Sequence, residues 1–100
     1  AYKVQVTPSF INDMREIVSY ITVELKNPQA AQKLADDVQS AIVMRAQCPA
    51  DFEPLHTKHV FPNPYYTIHV RNYMIFYVLL DDTMEIRRVM YQRRNWIELL

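Results

Sequence analysis

One hundred residues carry eleven basic and eleven acidic side chains, so the net charge is zero, while half of the chain is apolar, with one cysteine and no glycine. That length admits a single domain spanning 1–100, and the apolar content suffices for a core, which excludes a disordered chain. The lone Cys48 excludes a disulfide framework and a cysteine metal site within one chain, and the lack of glycine excludes phosphate loops and dinucleotide fingerprints.

In chain order, Tyr2–Thr7 alternates, with Tyr2, Val4 and Val6 on one face, and predicts a short strand. Thr7-Pro8 supplies an N-cap and a proline at the first helical position. Phe10, Met14, Ile17, Val18, Ile21 and Leu25 then follow helical spacing, with Asp13, Arg15, Glu16 and Glu24 off the stripe. Asn27-Pro28 repeats the start signal and opens a second helix with Ala31, Leu34, Ala35, Val38, Ala41 and Ile42 on one face. The short connection makes the two an antiparallel helical hairpin.

Cys48–Pro64 holds four of the six prolines and reads as a long irregular connector, a kind of segment that is often functional. Three strands follow. Tyr66, Ile68 and Val70 alternate with Thr67, His69 and Arg71; Arg71-Asn72 turns into the near-continuous apolar run Tyr73–Leu80; Asp81-Asp82-Thr83 turns into Met84–Tyr91. With no glycine to adopt positive φ, Asn72, Asp81 and Asp82 are the expected substitutes. Gln92–Leu100 is expected to form a short helix or tail. The order β-α-α-β-β-β predicts an α+β domain with an antiparallel sheet packed on one face against the hairpin, leaving the other face open.

No basic start followed by an apolar run is present, so no signal peptide is expected, and Tyr73–Leu80 is far shorter than the ~20 residues of a spanning helix. A cytoplasmic protein with no membrane partner is expected. His56 and His59 have no further ligands at metal spacing and read as surface histidines, so no metal and no cofactor are expected. Ser9, Ser19 and Ser40 lack a triad context.

The chemistry concentrates at the end of the chain, where residues 87–96 read RRVMYQRRNW. Guanidinium groups bind phosphate and aromatic rings stack on bases. The same residue types anchor protein interfaces. The plainer alternative pairs Arg87 and Arg88 with Asp81, Asp82 or Glu85 and uses Trp96 to close the core.

Taken in order and spacing, YKVQVTPSF, DMREIVSYI, NPQAAQKLADDVQSAI, YTIHVRNYMIFYVL and IRRVMYQRRNWIELL resemble the RelE/ParE superfamily of type II toxin–antitoxin toxins along nearly the whole chain. The resemblance implies a growth-inhibiting toxin neutralised by a cognate antitoxin that wraps around it. Its target divides the superfamily: RelE-like members cut messenger RNA on the ribosome without a metal, and ParE-like members poison DNA gyrase. The nuclease pattern is matched poorly, with Met74 where a central-strand arginine is common, and Gln92 and Glu98 where an arginine and a tyrosine are common. ParE-like patterns of the type HVIFY and RVLHxRRD are matched better by YMIFY and RVMYQRRN, with Tyr91 in place of histidine and Asn95 in place of aspartate. As a nuclease the chain would use Tyr91, Arg93 and Arg94 for catalysis. In either case Arg71, His69, Asn95 and Trp96 are the expected target contacts, with Arg71 and His69 lining a groove on the sheet. An inactive homologue that only binds the antitoxin is the third possibility.

Overall fold

The computed structural model describes residues 2–100. Its elements run β1 (Lys3–Val6), α1 (Pro8–Ser19), α2 (Pro28–Arg45), β2 (Tyr66–Val70), β3 (Tyr73–Leu80), β4 (Thr83–Tyr91) and a four-residue α3 (Trp96–Leu99). Both long helices start as their sequences dictate. The Thr7 hydroxyl accepts from Phe10 N at 3.2 Å and donates to Arg87 O at 2.8 Å, so one cap also ties α1 to β4. Asn27 Oδ1 accepts from Ala30 N at 3.1 Å, and Pro28 follows as the first helical residue. After Ser19 the first helix widens into a π-turn over Tyr20–Glu24, where Leu25 N reaches back five residues to Tyr20 O.

The sheet order is β1-β4-β3-β2. Strands β2, β3 and β4 form the expected antiparallel meander, but β1 lies parallel to β4, from Lys3 opposite Thr83 to Val6 opposite Ile86, so the sheet is mixed. The residues of a four-residue edge strand do not encode its direction relative to a partner 80 positions later. A slip in register between Phe76/Tyr77 and β4 leaves Arg87 bulged out of the ladder.

Positive φ falls at Lys26, Arg71 and Asp81. Asp81 was expected; Asn72 and Asp82 are not used, and Arg71 takes the left-handed position instead. Such a residue costs about 1–2 kcal/mol against glycine. The Arg71 side chain meanwhile binds Asp37 on α2, Nε at 3.0 Å and Nη2 at 2.7 Å.

The inner face of the sheet (Ile68, Val70, Ile75, Tyr77, Met84, Ile86, Val89) packs against Phe10, Ile21, Ala31, Leu34, Val38 and Ile42 of the helical layer. The outer face is not open, which corrects the reading from pattern alone. Met74, Phe76, Val78 and Met90 are roofed by Leu55, Phe61 and Tyr65 of the connector and by Trp96 and Leu100 of the terminal segment. Two covered faces explain why β3 is apolar without alternation. The connector is pinned through Tyr77, whose hydroxyl donates to Pro49 O at 2.8 Å and accepts from Arg45 at 3.0 Å, while the Arg45 guanidinium stacks 3.5 Å over the Phe52 ring.

Candidate functional site

Past Ile86 no strand among the described residues pairs with the free side of β4, because Thr7-Pro8 has turned β1 into α1. Asp13, on the second turn of α1, closes part of that gap. It is the buried acidic residue of the core, and its two oxygens accept three bonds: Arg88 Nε at 2.7 Å, Arg88 Nη2 at 2.9 Å and Val89 N at 3.1 Å. A buried carboxylate needs such a set to offset its lost hydration. Arg88 also donates through Nη1 to Leu99 O at 2.9 Å, so the same pair orients the terminal segment. The Asp13 bond, opposed by burial, holds the Arg88 guanidinium more firmly protonated than usual.

Beside this pair lies a cleft of about 450 Å³, within the common range for ligand sites, lined by Asp13, Glu16, Ile17, Tyr20, Tyr73, Val89, Met90, Tyr91 and Arg94. Tyr73 and Tyr91 are cross-strand partners whose rings meet edge to face, centroids 5.7 Å apart, and Tyr20 joins them from the π-turn. Burial, then the neighbouring phenols Tyr91 and Tyr20, raise the Tyr73 hydroxyl above its ordinary range, so it stays a neutral hydrogen-bonding group at physiological pH. Glu16 accepts from Asn12 at 3.3 Å, and neither it nor Arg94 has an oppositely charged partner among the described residues. Chemically the cleft offers apolar side chains, three phenols and one charge of each sign without an oppositely charged partner among the described residues.

The residues singled out in the sequence are distributed as follows. Tyr91 and Arg94 share the cleft; Arg93 and Asn95 are exposed beside it without lining it. Trp96 packs on Phe76, ring centroids 5.7 Å apart, and helps roof the outer sheet face, so much of it is structural. Arg71 and His69 do not form a groove together: Arg71 is drawn to Asp37 on the helical side, while His69 is exposed on the outer side of β2. Arg87 pairs with Glu85 at 2.8 Å and reaches the Tyr65 hydroxyl at 3.4 Å, as the plainer alternative held, while Arg88 takes Asp13 instead of a neighbouring acid. His56 lies 3.2 Å from Glu53 and His59 stacks on Phe61, and no group of three His, Cys, Asp or Glu among the described residues stands close enough to hold a metal. Asp13, Glu16, Tyr20 and Tyr73 were missed by pattern. Their shared position follows only from how α1 crosses the end of β4.

No helix among the described residues is long and apolar enough to cross a membrane. The chain is similar in fold to a protein of the chromosomal ParDE toxin–antitoxin system from P. aeruginosa (TM-score 0.75, 15% identity, 90% of this chain and 95% of that one). It is also similar to the isolated E. coli RelE toxin (TM-score 0.59, 17% identity, 99% and 93%) and to a chain of the E. coli RelBE toxin–antitoxin complex (TM-score 0.58, 18% identity, 94% and 100%). No curated protein matches the sequence. The family model for the ParE toxin of the type II toxin–antitoxin system parDE matches residues 4–96, and with that span the chain belongs to the ParE toxin family.

Proposed function

We propose that this ParE-like toxin arrests growth by binding DNA gyrase through the cleft and the exposed segment Tyr91–Asn95, and that a cognate antitoxin neutralises it. The observation that carries the reading is how the arginines are spent. Arg71 is committed to Asp37, Arg87 to Glu85 and Arg88 to Asp13, and the outer face of the sheet is roofed by the connector and the tail. An RNA strand would find little free positive charge and no open groove there, whereas phosphate binding rests on such charge. Tyrosine and arginine at an exposed chain segment suit a protein contact.

A nuclease reading keeps one supporting observation: Tyr91 and Arg94 share a cleft, so a proton donor and a cation are adjacent. It lacks a second free guanidinium lining that cleft. For the antitoxin, support comes from the open edge of β1, whose four residues are all exposed, and the apolar groove beside it lined by Val4, Val6, Phe10, Met14, Val38 and Ile42. A strand or an amphipathic helix could be added there. The reading is tested by inducing the protein in bacteria and pulse-labelling. Thymidine incorporation should fall before methionine incorporation, and co-expression of the cognate antitoxin should restore both. Methionine incorporation failing first, with cuts in translated messages, would support the nuclease.

A further inference from the structure

Alternation along β4 decides which main-chain groups face the side that β1 has vacated. Gln92 N donates to Asn72 O on the β3 side, so residues 88 and 90 face β3 as well, and 89 and 91 face away. Of the four main-chain groups of 89 and 91, two are taken: Val89 N by the Asp13 carboxylate and Tyr91 O by Arg94 N. Val89 O and Tyr91 N have no partner among the described residues. An antiparallel strand needs the amide and carbonyl of one residue, and neither residue has both free. A parallel strand needs the carbonyl of one residue and the amide of the residue two further on, and that is the pair left over.

Val89 and Tyr91, which carry these two groups, both line the cleft. A residue bonded to both would lie beside Met90, and its two sequence neighbours would point toward the inner side, where Tyr73, Tyr91 and Tyr20 form a corner next to Glu16. Asp13 is already neutralised by Arg88, so the unsatisfied negative charge of this corner belongs to Glu16. Faces of phenol rings with a nearby carboxylate attract a cation.

We propose that this slot binds an extended segment of a partner protein, parallel to β4, with one lysine or arginine side chain seated among Tyr20, Tyr73, Tyr91 and Glu16. Arg94, which also lines the cleft, disfavours a second basic side chain. The proposal rests on the protein-binding reading above, but not on gyrase being the protein bound.

The test uses the full chain, isotope-labelled and titrated with short end-capped peptides of alternating valine and threonine whose second valine is replaced by arginine, glutamine or glutamate. The arginine peptide should shift the Tyr91 amide resonance, slow its hydrogen exchange at least tenfold, and bind about fivefold more tightly than the glutamine peptide. The glutamate peptide should bind more weakly than either. Glu16→Gln and Tyr20→Ala alter exposed side chains and should each erase the preference for arginine while leaving the fold unchanged. Absence of shifts at millimolar peptide, equal binding of all three peptides, or binding that leaves Tyr91 exchange untouched overturns the slot. Arginine-selective binding by a protein that leaves gyrase unaffected retains the slot and rejects gyrase as the target.

Discussion

Asp13 is the residue on which the end of β4 depends, because it supplies acceptors to a guanidinium and to an edge amide at once. Asp13→Asn keeps an oxygen for Val89 N but leaves Arg88 uncompensated, at a cost of about 3 kcal/mol, read as a lower urea midpoint. For a domain of this size that corresponds to a melting point lower by on the order of 15 °C. The double replacement Asp13→Leu with Arg88→Met should cost less than Asp13→Asn, since it removes both charges together. From the sequence Asp13 reads as an ordinary polar position off the apolar stripe of α1, since its partner lies 75 positions later. Tyr73 and Tyr77 carry a second residue-scale consequence. Burial raises both phenols, so they favour the folded state fully below their unfolded value near 10, and that contribution is lost as pH rises through the higher folded values. Unfolding midpoints should therefore decline above about pH 10, and absorbance titration of the phenols should show a late-ionising subset. A midpoint that does not change above about pH 10 would contradict the raised phenols.

At the scale of elements, the two helices, their caps and the strand meander were all legible in the sequence. Thr7-Pro8 and Asn27-Pro28 carry unambiguous start chemistry, and the apolar run of β3 is too long to be a half-exposed strand. Two features were not legible. The parallel direction of β1 depends on how the hairpin returns the chain, and the roof over the outer face comes from a proline-rich connector with no periodicity to read. The same gap explains why the cleft is not legible in the sequence: Tyr91 and Arg94 line it, but its other wall is α1. The distribution of the tail arginines makes a direct prediction. Arg93→Ala and Arg94→Ala should each change stability by less than about 0.5 kcal/mol, as exposed substitutions do. Arg94→Ala should weaken growth arrest at least tenfold and Arg93→Ala much less, because only Arg94 lines the cleft. Equal losses in a plating assay at matched expression would place the contact on the tail alone. Trp96→Ala, by contrast, uncovers Phe76 and should cost about 2 kcal/mol in the urea midpoint.

The whole molecule has no net charge, and Arg71, Arg87 and Arg88 are each paired with a carboxylate. A protein that works by binding phosphate through six to ten contacts loses about 10³–10⁵ in affinity between 50 and 200 mM salt. This toxin should lose less than about tenfold in affinity for its target over that range, in keeping with an apolar cleft bearing one free charge of each sign. The groove beside β1 and the cleft at the far end of β4 share no lining residue, so the proposed antitoxin and target sites need not overlap. The central claim is that the free chemistry of this fold recognises protein. Its most direct test is the supercoiling of relaxed plasmid by purified gyrase with increasing amounts of the wild-type chain. Supercoiling should be inhibited near stoichiometric toxin, and Arg94→Ala should shift the inhibition at least tenfold upward. Undiminished supercoiling at a large excess of toxin, alongside cleavage of messenger RNA on translating ribosomes, would contradict it.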